Sequence, residues 1–165
     1  MNGPPTHPRA RRLIEELGLT PHPEGGWYSE VYRSTGIVRN AADQARPFLT
    51  TIYFLLSQGE VSRWHRVAAD EVWHWYEGDP LDLLTIRDGE RGAHRQRLGL
   101  MSGGAVPVAV VPAGTWQAAR SAGSYTLVGC TVAPGFTFED FTLARNDATA
   151  LAWLEGLGEE IKGLL

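Results

Sequence analysis

The sequence predicts an all-β fold, a double-sheet jelly roll with a short helix at each end. Three observations predict it. From Trp27 to Ala144 the chain divides into about ten short segments rich in Val, Ile, Thr and aromatic residues, which suit a pleated, half-buried surface. Glycines, prolines and an Asp-Gly pair separate these segments. Apolar residues at helical spacing occur only near the two ends. Strand segments in this number suit two packed sheets.

The elements follow in order. Ala10, Leu13, Ile14 and Leu17 mark a first helix, with Pro8 in its first turn and Gly18 at its end. The run Pro21–Gly26, PHPEGG, is a tight turn whose glycines can bring backbone close to a ligand or a partner. Strands are expected over residues 27–33, 48–56, 62–66, 71–77, 81–87, 94–98, 106–111, 115–119, 124–132 and 136–144. Asp88-Gly89 marks a hairpin turn and Gly103-Gly104 a loop. Residues 34–47 have no clear period and are expected to form a loop. Glu139 and Asp140 are adjacent acids within a strand segment, one expected to face in and one out, the inward acid pairing with an arginine or joining the site. A last helix starts at Asp147, capped by Asn146 or Asp147, with Gly156 and Gly158 weakening its continuity.

At 165 residues the chain is expected to be one domain with a full core. A net charge of −4 gives no electrostatic drive toward nucleic acid, and the cluster Arg9, Arg11, Arg12 reads as a solvated helix face. The sequence holds no apolar run of spanning length and no apolar signal core, so neither a membrane nor export is expected. The single cysteine, Cys130, fits a reducing cytoplasm and reads as a small buried residue.

The densest chemistry lies between Gly59 and Gly78, GEVSRWHRVAADEVWHWYEG. This stretch resembles the first motif of the cupin superfamily: Gly, five residues, His-x-His, three or four residues, Glu, six residues, Gly. His65 and Glu71 occupy the first His and the Glu; Val67 stands at the second His. Downstream, Pro112-Ala113-Gly114 opens a run similar to the second motif, with Gln117 at the last His position and Ser121 at the Asn position. The blocks 22–34, 50–56, 62–83, 110–119 and 125–144 resemble a small bacterial and fungal branch of cupins once catalogued as a domain of unknown function. The resemblance implies a double-stranded β-helix, or jelly-roll, cupin barrel and a homodimer.

The resemblance also implies a metal held by His65, Glu71 and Gln117, of which only the first two are good ligands, so no cofactor is expected beyond a weakly bound divalent metal. Without metal, His65 serves as general acid or base and Glu71 orients it. Tyr53 is a third candidate for proton transfer. Trp64, Trp73, Trp75 and Trp116, all beside motif positions, are expected to wall a small-molecule site with Gln117 as a polar contact. Alternation along the strand turns His74 away from Glu71. Arg63 and Arg66 read as surface or dimer residues.

The function expected is binding of a small polar, carbohydrate-like metabolite in the barrel mouth, with epimerase or isomerase chemistry at His65. The alternatives are a non-catalytic binding or sensing cupin and a metal-dependent oxygenase.

Overall fold

The computed structural model describes residues 6–165. Helix α1 (Pro8–Leu17) opens it, with Pro8 in the first turn. Gly18, in the left-handed region at φ 61°, ends it, and Leu19 N–H donates to the Ile14 carbonyl. The strands are β1 (Thr20–Pro21), β2 (Trp27–Arg33), β3 (Ile37–Arg39), β4 (Ala45–Pro47), β5 (Thr50–Ser57), β6 (Val61–Val67) and β7 (Asp70–Gly78). After them come β8 (Leu81–Ile86), β9 (His94–Leu98), β10 (Val108–Val111), β11 (Trp116–Ser121), β12 (Tyr125–Ala133) and β13 (Phe141–Leu143). Helices α2 (Ala148–Glu155) and α3 (Glu159–Lys162) close the chain.

Two antiparallel sheets face each other. One has six strands in the order β1-β2-β5-β12-β7-β10, the other five in the order β13-β6-β11-β8-β9. Alternation sets what each face carries. Phe54, Leu56, Trp73, Val111, Val128 and Cys130 point in from the first sheet, and meet Leu81, Leu83, Leu98 and Ala119 from the second. Each large apolar side chain buried here contributes about 1.5–3 kcal/mol.

The outer faces are covered unequally. Helix α1 lays Ala10 and Leu13 over Leu55 and Leu127 of the six-stranded sheet. Helices α2 and α3 lay Ala150, Leu154 and Ile161 over Trp64, Leu84, Ile86, Trp116 and Ala118 of the five-stranded sheet. Asp147 caps α2, its Oδ1 accepting from the Thr149 and Ala150 N–H groups. The helix stops at Gly156, and α3 begins after Gly158 at φ 118°.

Residues 34–47 are not an unstructured loop. They contain the hairpin β3–β4, turned by Asn40, whose Oδ1 accepts from the Ala42 and Gln44 N–H groups. Its strands are three residues long and β3 is exposed throughout, so no burial period could show in the sequence. The acids at 139 and 140 interrupt their predicted strand with a 3-10 turn, Phe138–Asp140. Arg46 clips the hairpin to that turn through two hydrogen bonds to Asp140, of 2.6 and 2.8 Å. Arginine holds Asp140 below its ordinary range, chiefly through these bonds.

Candidate functional site

A cavity of 480 Å³ lies between the sheets, bounded by β2, β5, β6, β7, β12 and the segment Phe136–Phe141. Its polar floor is His22, Glu24, His65, Glu71 and Cys130. Its walls are Tyr28, Ile52, Phe54, Val67, Val132, Phe136, Phe138 and Phe141.

His65 and Val67 face inward from β6, with Trp64 and Arg66 on the opposite face, as alternation requires. His65 is 2% exposed. Its Nδ1 lies 2.7 Å from the Arg63 carbonyl. A carbonyl oxygen can only accept, so Nδ1 carries a proton and neutral His65 presents Nε2 as a lone pair. Nε2 lies 3.4 Å from Glu24 Oε2.

Glu24 comes from the turn before β2. The turn is pressed against the barrel: Arg63 N–H donates to the Glu24 carbonyl at 2.9 Å, and a Cβ on Gly25 would run into the Val61 carbonyl. Only glycine fits at that distance with φ 110°. The Glu24 side chain therefore drops between β2 and β6. Oε1 accepts from Ser62 Oγ at 2.8 Å, while Oε2 lies 3.3 Å from His22 Nδ1. His22 Nδ1 also accepts the Glu24 N–H at 3.3 Å, so it too is a lone-pair nitrogen. One carboxyl oxygen thus sits between two imidazole lone pairs. Such an arrangement is repulsive unless a proton occupies it, on Glu24 or on His65 Nε2.

Burial raises the pKa of Glu24, with His22 and Ser62 opposing. Burial lowers that of His65, opposed by the charge of Glu71 and the Arg63 carbonyl. Burial likewise lowers His22, against Glu24. All three directions favour a neutral acid beside neutral imidazoles.

Glu71 faces the cavity from β7. Gln117 Nε2 donates to its Oε2 at 2.5 Å, and Gln117 Oε1 accepts from the Trp73 indole N–H at 3.0 Å. The Cys130 thiol faces the same cavity floor as Glu71. Burial raises Glu71, and so does the nearby Glu24, against His65, Gln117 and Cys130. Burial and the two carboxyls push Cys130 well above its ordinary value, which favours the thiol over the nucleophilic thiolate.

The structure brings together His65 and Glu71 and corrects most of the remaining candidates. Gln117 is buried behind Glu71 and holds that carboxyl in place. Trp73 is buried in the core between the sheets. Trp64 and Trp116 face out under α2 and α3, donating to the Ile161 carbonyl and to Asp88. Trp75 lies toward a different surface cleft and donates to the Asp79 carbonyl. Tyr53 lies on the outer face, edge-on to Tyr76. None of the four tryptophans, nor Tyr53, lines the cavity. His74 pairs with the exposed Val108 on the outer face, as expected. Arg66 stacks over Trp116, 4.5 Å from the ring centroid. Sequence reasoning missed His22 and the side chain of Glu24; the paired glycines after Glu24 were the one available signal.

The donor set does not fit the metal implied by the motif resemblance. Val67 occupies the second His position inside the cavity, and both ends of the Gln117 amide are engaged by protein groups. His22, Glu24, His65 and Glu71 share the cavity floor, yet among the described residues no three His, Cys, Asp or Glu side chains are arranged as a metal-holding group.

A family model described as the cupin superfamily, DUF985, matches residues 11–144. The chain belongs to this cupin family. A solved protein from Shewanella oneidensis shares 35% identity with this cupin at TM-score 0.80, over 93% of this chain and 94% of its own. A hypothetical protein from Leishmania major shares 32% at TM-score 0.77, over 89% and 97%. Oxalate decarboxylase from Bacillus subtilis shares the fold at 15% identity and TM-score 0.55, over 88% of this cupin and 36% of the enzyme. Comparison with the curated proteins gives no match. No helix among the described residues is long and apolar enough to cross a membrane.

Proposed function

We propose that this cupin binds a small molecule in the 480 Å³ cavity and moves a proton on it, in an isomerase- or epimerase-type reaction. One observation carries the reading: the Arg63 carbonyl fixes the His65 tautomer, leaving Nε2 as a base beside two buried carboxyls. His65 Nε2 takes a proton from a carbon next to a carbonyl. Neutral Glu24 or Glu71 gives a proton to the carbonyl oxygen, forming the enol. Return of a proton to the other face, or to the neighbouring carbon, completes an epimerisation or a shift of the carbonyl. Each step needs an acid and a base whose environments hold them neutral together, and burial supports that state.

The test is exchange of carbon-bound hydrogen for deuterium in D2O, followed by NMR on a panel of small ketones, with His65→Gln as control. The reading expects exchange with the wild type and a loss of about 100-fold or more in the variant. A ketone that binds in the cavity yet exchanges at the same rate with either protein contradicts it and favours a binding or sensing cupin.

A homodimer formed by the six-stranded sheet is part of the same proposal. Tyr32, Thr51, Thr131, Val72 and Val110 lie across its outer face in one row, and Tyr53, Gly129, His74 and Val108 in the next. Neither row carries Asp, Glu, Lys or Arg, and Tyr32, Val108 and Val110 are exposed. A second copy meets this face without like-charge repulsion, as a two-fold contact requires.

A further inference from the structure

Resting on the proton-transfer reading of this cavity, we infer that its ligand is an uncharged molecule with a flat, largely apolar ring body and one carbonyl or hydroxyl head, not a sugar or a sugar phosphate.

Charge gives the first argument. Among the described residues Arg33 is the only Lys or Arg side chain lining the cavity, and it is occupied. Its Nε and Nη2 donate to the two oxygens of Glu30 at 3.0 and 2.7 Å, and its Nη1 donates to the Phe136 carbonyl at 3.0 Å. A phosphate or carboxylate would lose its water and find no free cation, with Glu24 and Glu71 on the floor. A cationic amine would need a buried carboxyl in its charged form, which burial disfavours.

Shape and lining give the second. Phe136, Phe138 and Phe141 pack mutually, with ring centroids 5.1 to 6.1 Å apart, and Phe141 tilts over His65 at 5.4 Å. His22 lies edge-on to Tyr28 and Phe54 at 4.6 and 6.0 Å. The walls thus offer ring faces and edges to a flat apolar body. A sugar carries a hydroxyl on nearly every carbon, and burying those against phenylalanine without partners is unfavourable for each one.

The floor gives the third. His22, Glu24, His65 and Glu71 gather on the floor and serve one hydrogen-bonding head there. Thr20, Ser29, Glu30, Arg33 and Thr50 also line the cavity, with Glu30 and Arg33 paired to each other and Thr50 Oγ1 accepting from the Phe136 N–H. Along the wall, Thr137 adds a buried Oγ1 that has no hydrogen-bond partner among the described residues. It can meet one more ligand oxygen.

Three bicyclic probes of similar size and different charge test this: 2-tetralone, 2-naphthoate and 2-naphthylmethylamine, with glucose and glucose 6-phosphate beside them. Binding to the full chain is measured by titration calorimetry, with saturation-transfer NMR for weak ligands. The inference expects 2-tetralone to bind at least about tenfold tighter than any of the other four. Phe138→Ala, at a 54% exposed position where folding is not at risk, should weaken 2-tetralone about fivefold or more. Tighter binding of the naphthoate, the amine or either sugar overturns the inference, as does 2-tetralone binding that ignores Phe138→Ala. Binding needs no turnover, so it separates the two readings. If 2-tetralone binds but does not exchange deuterium, the ligand class stands and the proton-transfer reading fails. If a sugar binds and exchanges through His65, the reverse holds.

Discussion

Glu24 Oε2 lies 3.4 Å from His65 Nε2 and 3.3 Å from His22 Nδ1, and both nitrogens are held as lone pairs by their other hydrogen bonds. The three groups therefore share a proton, and burial of all three favours the neutral carboxyl over a charged imidazole. Glu24→Gln keeps the shape and the bond from Ser62 but removes the acid. Deuterium exchange into a bound ketone should fall about 10- to 100-fold, with the thermal midpoint changed by no more than a few degrees. A fully active variant would remove Glu24 from the chemistry and leave Glu71 as the acid.

Stability should report the buried carboxyls. Burial raises the Glu71 pKa above its unfolded value. Between those values the folded chain binds more protons than the unfolded one. Stability from Glu71 is thus present at low pH and is lost as pH rises through the folded pKa. Glu71→Gln removes this dependence. At pH 8 it should melt higher than the wild type by about 3 °C, or ~1 kcal/mol, with a flatter profile from pH 5 upward. His65 and His22 act oppositely: with folded pKa lowered, their contribution is lost as pH falls through the ordinary imidazole range. Melting curves from pH 5 to 9 on the wild type and on Glu71→Gln separate the two.

Val67 is the residue that breaks the ligand pattern of the motif, and it faces the cavity two positions from His65. Val67→His should create nickel or zinc binding at least about tenfold tighter than the wild type, read by titration calorimetry and abolished by His65→Ala. Equal affinity in the wild type would show that Val67 is not what withholds the metal.

Trp64 should matter for stability and not for ligands. Its indole N–H donates to the Ile161 carbonyl at 2.9 Å, and it packs under α2 and α3. Trp64→Ala should cost about 3–5 kcal/mol, and Trp64→Phe less. Affinity of the Trp64→Phe protein for cavity probes should be unchanged by the same calorimetry. A loss of affinity would place the residue in the site after all.

Sedimentation should give a dimer at micromolar concentration, split by Val110→Lys. A monomeric wild type contradicts the homodimer.

Much of the fold was legible because burial on one face of a strand leaves a period of two. Helix ends were legible from local chemistry at Gly18 and Asp147. The hairpin at 37–47 was not, since exposed three-residue strands leave no period. His65 and Glu71 were legible from their spacing. The tryptophans misled because nearness in sequence is not nearness in space. Trp64 adjoins inward His65 and Trp116 adjoins inward Gln117, so alternation sends both rings outward. Glu24 was hidden for the converse reason. It lies in a turn, where no period fixes the direction of a side chain, and only the packing of Gly25 against β6 aims it inward.

The central claim is that His65 Nε2 is a working base in an otherwise neutral cavity. The most direct measurement is the deuterium exchange rate of bound 2-tetralone against pH, for the wild type and His65→Gln. The account predicts a wild-type rate that rises as His65 loses its proton, below the ordinary imidazole value, and falls again as the carboxyl acid ionises, with the rise absent in His65→Gln. A rate that is the same for both proteins across the whole range would contradict it.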